Sequence, residues 1–195
     1  MGLCSAYFAI LRRTILLTTS KFQKENDELY TNDCEKYNEQ VHDNLSKCVE
    51  HHLAVIKFTE DIENIFRYVF LSQFVCSAGG ICLVGFTFIN AEPGSVEFIF
   101  ALSFLGTLMF QITLYCSYGN EVTIQSSRVL DACYMAEWVS CGPKVRQCLF
   151  IIMERSKRPM VLTAGKFVNL SLASLVAVFK SAGSYAMVLY HLYNP

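Results

Sequence analysis

The sequence predicts an all-α membrane protein with three complete transmembrane helices, a stub of an earlier one, and long cytoplasmic helical extensions. Three stretches lead there. Tyr68 to Ile89 runs 22 residues without an Asp, Glu, Lys or Arg, and Phe98 to Tyr118 runs 21. As a helix each reaches about 30 Å, the hydrocarbon thickness of a bilayer. Leu170 to Tyr193 is apolar over a similar length, with one Lys, Lys180, inside it.

The chain has 195 residues, 53% of them hydrophobic, and a formal net charge of −1. The placement of charge is more telling than its sum. Of the 16 Lys and Arg, all but Lys180 fall before or at Arg67, or between Arg128 and Lys166. The link Asn90 to Glu97 carries two Glu and no base. Basic segments stay on the cytoplasmic side. The chain is therefore expected to leave through the first span, return through the second, and leave again through the third.

Residues 1–20 are expected to be the inner end of a truncated span. Met1 to Ile10 is apolar, but Arg12-Arg13 cuts it short. Its charges follow the apolar run, whereas a signal peptide carries them before it. Ala6 breaks the N-myristoylation pattern. The chain is thus expected to be a partial product.

Residues 21–67 are polar and charged. Val41, Leu45, Cys48, His52, Val55, Ile62 and Phe66 recur at three- and four-residue steps, the mark of a helix with one apolar face. A long cytoplasmic helix running directly into the first span is expected. His51-His52 lacks a partner at ligand spacing, so a solvated or interfacial pair is expected.

The first span covers 68–89 and contains Ser77-Ala78-Gly79-Gly80, small residues that let helices approach. Residues 90–97 form an extracellular loop turning at Pro93-Gly94. The second span covers 98–120 and carries Gln111 and Thr113; Gln111 is a candidate ligand or interhelical contact. Residues 121–166 return to cytoplasmic helices. Trp138 closes one of them, as a recognition anchor or a junction packer. Pro143 opens a short basic helix that Arg158-Pro159 ends, and a break carrying Gly165 follows. Residues 167–193 are the third span. Ser181, Ser184 and His191 make a thin polar row along it, as on a helix facing water or partner helices.

Nine Cys show no CxxC pair and no zinc spacing, so reduced packing residues are expected. No Ser-His-Asp, HExxH, P-loop or GxGxxG pattern appears, so neither an enzyme nor a cofactor is expected. The bases are spread along membrane-flanking helices, which argues against nucleic acid.

Several stretches resemble the C-terminal half of the insect odorant receptors. They are YGNEVTIQSSRVLDACYMAEW, PKVRQCLFIIMERSKRPMVLTAGKFVNLSLASLVAVFKSAGSYAMVL and CVEHHLAVIKFTEDIENIFRYVFLSQFVCSAGGICLVGF. GLCSAYFAILRR is similar to the inner end of that family's fourth span. The resemblance implies part of a seven-span subunit of a tetrameric, odorant-gated, non-selective cation channel in the plasma membrane. It implies olfactory coreceptor subunits as partners and a volatile odorant as ligand of the full-length form. Residues 21–67 and 121–166 would then be the cytoplasmic anchor that holds the tetramer, and 167–193 the pore-lining helix.

Met187-Val188-Leu189-Tyr190-His191-Leu192 matches the family's gate pattern, which carries the gate to Val188 and Leu192. Ser181, Ser184 and His191 become pore-lining candidates, and Lys180 an intramembrane charge facing the cytoplasmic vestibule or another helix. The family's odorant pocket lies among spans two, three, four and six, of which only span six is present. A gustatory receptor is the related alternative, but its Thr-Tyr…Gln-Phe signature finds only Ser184-Tyr185 and His191-Leu192. A non-conducting scaffold that assembles with intact receptors is the alternative from another class.

Overall fold

In the computed structural model, residues 1–26, 34–92, 94–136 and 142–193 are described. Five helices and one small hairpin follow in order: α1 Gly2–Asn26, α2 Cys34–Asn90, α3 Val96–Met135, α4 Pro143–Ser156, β1 Thr163–Ala164, β2 Val168–Asn169 and α5 Leu172–Tyr193. They form two compact units. One holds Met1–Ile62 and Glu121–Met160; the other holds Glu63–Asn120 and Val161–Pro195.

The first unit is a four-helix packing with an apolar centre. Cys4, Phe8, Leu11 and Ile15 recur down one side of α1 and are buried. Arg12 and Arg13 lie off that row, and the helix runs through them to Asn26. On α2 the apolar row reads as the spacing predicts for Val41, Leu45, Cys48, His52 and Val55, all buried. Farther on, Ile56 and Thr59 take over, while Phe66 is exposed. From α3 come Val122, Val129 and Cys133; from α4, Val145, Leu149 and Ile152. A fully buried side chain of this kind contributes roughly 1.5–3 kcal/mol over leaving it in water. Ser126 Oγ on α3 accepts a 3.0 Å hydrogen bond from the Met160 amide, which fixes the chain after α4. Trp138 and residues 27–33 lie outside the described residues.

The second unit shows its apolar side chains on the outside. Residues 63–90 of α2 and 96–120 of α3 expose Val69, Val75, Leu83, Ile99, Phe100, Phe104 and Phe110. Large apolar surface of this extent suits hydrocarbon or partner helices, not water. Among the described residues α2 and α3 are the two helices long and apolar enough to cross a bilayer. The apolar stretch of α5, Leu172–Val188, is shorter. The complete α5 has 22 residues, about 33 Å of helix. Ser95 starts α3, its Oγ accepting from the Phe98 amide at 3.1 Å. Ser171 does the same for Ser174 at the start of α5.

The break expected around Gly165 is a two-residue hairpin. Thr163 pairs with Asn169 and Ala164 with Val168. Gly165 and Lys166 both have positive φ, 62° and 64°, as a tight hairpin turn of the mirror-image type requires. The Gly165 amide donates to the Arg67 carbonyl of α2 at 2.9 Å, and the Thr163 hydroxyl donates to the Glu63 carboxylate. The hairpin is therefore clamped onto one turn of α2.

Gly119 marks the closest approach in this unit. A Cβ there would lie 2.5 Å from Leu170 Cβ and 2.6 Å from the Leu170 carbonyl oxygen. Gly106, by contrast, has nothing within 4 Å of where its Cβ would sit. We expect Gly119→Ala to cost about 1–3 kcal/mol by overpacking against backbone. Gly106→Ala is expected to be neutral or to add up to about 1 kcal/mol through helix propensity. Thermal unfolding in detergent of both variants against the parent checks the contrast.

Candidate functional site

Helix α5 carries most of the residues that the sequence singles out. Its inner face is Leu175, Ala182 and Ala186, all buried. Small residues on that face allow tight packing: a Cβ on Gly85 of α2 would sit 3.4 Å from Ala186 Cβ. The outer face holds Lys180, Ser181, Ser184, Val188 and His191, all exposed. Ser181 and Val188 are seven residues apart and so nearly in line, with Ser184 between them about 40° to one side. Lys180 lies about 80° from Val188 around the axis, beside the row and not on it. Leu192 belongs to α5, but its side chain lies outside the described residues.

The structure thus keeps Ser181, Ser184 and Val188 on one unburied stripe. Gln111 is elsewhere, half-buried on α3 beside the fully buried Ile112. Thr113 turns its hydroxyl back onto the Met109 carbonyl at 2.7 Å, so its polarity is spent within its own helix. The stripe holds hydroxyls and aliphatic groups, with a Lys and a His to the side. It can line a wet path or a helix contact; it has no nucleophile–base pair.

Polar groups also meet in the first unit. His52 is buried, at 3% exposure, where a solvated or interfacial pair was expected; His51 next to it is exposed. The spacing had placed His52 on the apolar row, and that row is what buries it. The Phe8 ring lies 6.4 Å from it, edge on. Burial, and then the Arg155 guanidinium and His51, push the His52 imidazole down to about 4. Arg155 itself pairs with Glu60 at 3.2 Å. Burial pushes the Cys133 thiol up to about 12, with Cys48 adding to the shift, so both act as inert packing groups. Among the described residues no three His, Cys, Asp or Glu come together as a metal site.

Comparison with known proteins fits this geometry. The family profile described as "7tm Odorant receptor" matches residues 5–183. Odorant receptor 94a of Drosophila melanogaster is 31% identical over 147 residues, which is 73% of this chain and 38% of that protein. Odorant receptor 22c of the same fly is 28% identical over 187 residues, 96% of this chain and 45% of that protein. The insect olfactory receptor OR5 from Machilis hrabei, solved in complex with eugenol, superposes with a TM-score of 0.70 at 22% identity. That match covers 76% of this chain and 39% of the solved one.

The matched family is one of multi-pass membrane receptors, not enzymes, and long helices with outward apolar surface fit it. The chain is a member of the insect odorant receptor family. It spans less than half the length of the curated relatives it matches.

The His52 environment sets a pH dependence. Below pH 6.5 the unfolded chain takes up a proton here that the folded chain refuses until about pH 4. Stability is therefore complete above 6.5 and falls as pH drops across that window, by on the order of 2–3 kcal/mol. We expect His52→Leu to flatten that fall. Denaturation midpoints of parent and variant between pH 7 and 4 check it.

Proposed function

We propose that this chain is part of a subunit of an odorant-gated, non-selective cation channel in olfactory sensory cells. Residues 68–89, 98–120 and 167–193 cross the plasma membrane, with the C-terminus outside and 1–20 as the inner end of an earlier span. Residues 21–67 and 121–166 form a cytoplasmic anchor that holds a tetramer with olfactory coreceptor subunits. The observation that carries this reading is the division of α5: Leu175, Ala182 and Ala186 are buried, and Ser181, Ser184 and Val188 are exposed on the other side.

Four copies of that stripe around an axis would stack a ring at Val188 and another at Leu192. Apolar rings of this kind gate by dewetting, while the serines below keep the path wet. Lys180, off the stripe, sits where it opposes cation flow least. His191 lies at the outer mouth. A volatile odorant belongs to the full-length form, with Gln111 on the second span as a contact for ligand or helix.

Two experiments bear on this. Co-expressed with a full-length coreceptor, the Val188→Ala, Leu192→Ala double variant should raise resting current several-fold over the parent chain. Unchanged leak and gating remove the gate from these residues. Co-purification without any current favours a scaffold. Tags at the two ends should report opposite faces of the membrane, and a same-side result removes the three-crossing topology.

A further inference from the structure

We infer that the second unit binds an anionic phospholipid of the cytoplasmic leaflet, with the phosphate between Arg67 and Lys166 and an acyl chain between α2 and α5. This rests on the topology proposed above, which puts that turn of α2 at the inner membrane surface. Two observations meet here. The first is a basic pair. Lys166 is exposed at the hairpin tip, and the Gly165-to-Arg67 hydrogen bond holds it beside the Arg67 turn. The Arg67 guanidinium lies over the Tyr68 ring, 4.8 Å from its centre, and its buried Nε has no hydrogen-bond partner among the described residues. Among the described residues neither base has a carboxylate at ion-pair distance. Phe167, next in the hairpin, is 85% exposed. Cations interleaved with exposed aromatic rings suit a headgroup region.

The second observation is a cavity of about 500 Å³ between α2 and α5, open along one side. It begins at Val168, two residues beyond Lys166, and runs by Ala78, Cys82, Ser181 and Tyr185. Arg67, Leu71, Ala78 and Cys82 fall at i, i+4, i+11 and i+15, which brings them back to one side of α2 within about 60°. From Arg67 to Ala78 the rise is about 17 Å. The phosphate site and the groove therefore lie on one face, in the order and at the spacing of a phospholipid's head and chain. The groove is mostly apolar, as a chain requires. Ser181 borders both this groove and the proposed pore stripe, so an occupied groove would brace α5 on its pore side.

The test uses the whole chain purified in detergent from bilayers of phosphatidylcholine with or without phosphatidylserine, read by native mass spectrometry. Phosphatidylserine should be retained in preference to phosphatidylcholine. Arg67→Gln with Lys166→Gln should lower that retention on the order of thirtyfold, since each base near a charged surface contributes roughly fivefold. Gly79→Phe, built into the open space beside Ala78, should lower it with both bases intact. Equal retention of the two lipids, or retention indifferent to both variants, overturns the proposal. So does a second copy of the chain retained in place of lipid, or equal capture of glycerophosphate, which has no chain. Retention in detergent does not depend on which leaflet faced the protein. The terminal tags therefore report failure of the topology separately.

Discussion

The structure depends on one constraint: a backbone that leaves water must satisfy its own hydrogen bonds. In hydrocarbon each unsatisfied amide or carbonyl costs several kcal/mol, and a helix avoids that cost within a single segment. Here α2 runs unbroken for 57 residues and α3 for 40. Each begins or ends among buried aliphatic side chains of the first unit and shows bare apolar side chains in the second. The backbone is the same in both; only the side-chain code changes. In the first unit the apolar residues point inward, as water requires. In the second, Val75, Leu83, Phe100 and Phe110 point outward, as only a nonaqueous surrounding tolerates.

Where that code is periodic, the sequence could be read. Val41, Leu45, Cys48, His52 and Val55 recur with helical spacing, and the same residues line the core. Uncharged runs located the apolar parts of α2 and α3, and Pro143 marked the start of α4. Single local signals say less than the row they sit in. Arg12-Arg13 interrupts the apolar run but not the helix, whose buried row is Cys4, Phe8, Leu11 and Ile15. His51 and His52 were expected as one solvated or interfacial pair, yet His52 is buried and His51 exposed. Adjacent residues on a helix point about 100° apart, so one can face water while the other is buried.

The hairpin was harder to see. Its strands are two residues each, too short for an alternation signal. The legible part was a break carrying Gly165; the link itself is Gly165 to Phe167, between the paired Ala164 and Val168. What holds it is tertiary: the Arg67 carbonyl, the Glu63 carboxylate and the side chain of Leu71 beneath Gly165. None of these is near it in sequence. Of the candidate site, the face of α5 was legible from the spacing of Ser181, Ser184 and Val188. Which side of that helix packs inward follows from Ala186 meeting α2 at Gly85, and single-helix periodicity does not tell two small-residue faces apart.

If α5 lines a path, as proposed, it has to be held on one side and left bare on the other. The second unit does this with size. Gly119 brings α3 against Leu170, just before α5 begins, at a distance no larger residue allows. Ala186 meets the α2 backbone at Gly85. Between these two contacts, α5 stands off from α2 along the groove that starts at Val168. Support at both ends and space in the middle is a geometry in which a small shift of α5 costs little packing. Movement there would reach Ser181, which borders the groove, before it reached Val188.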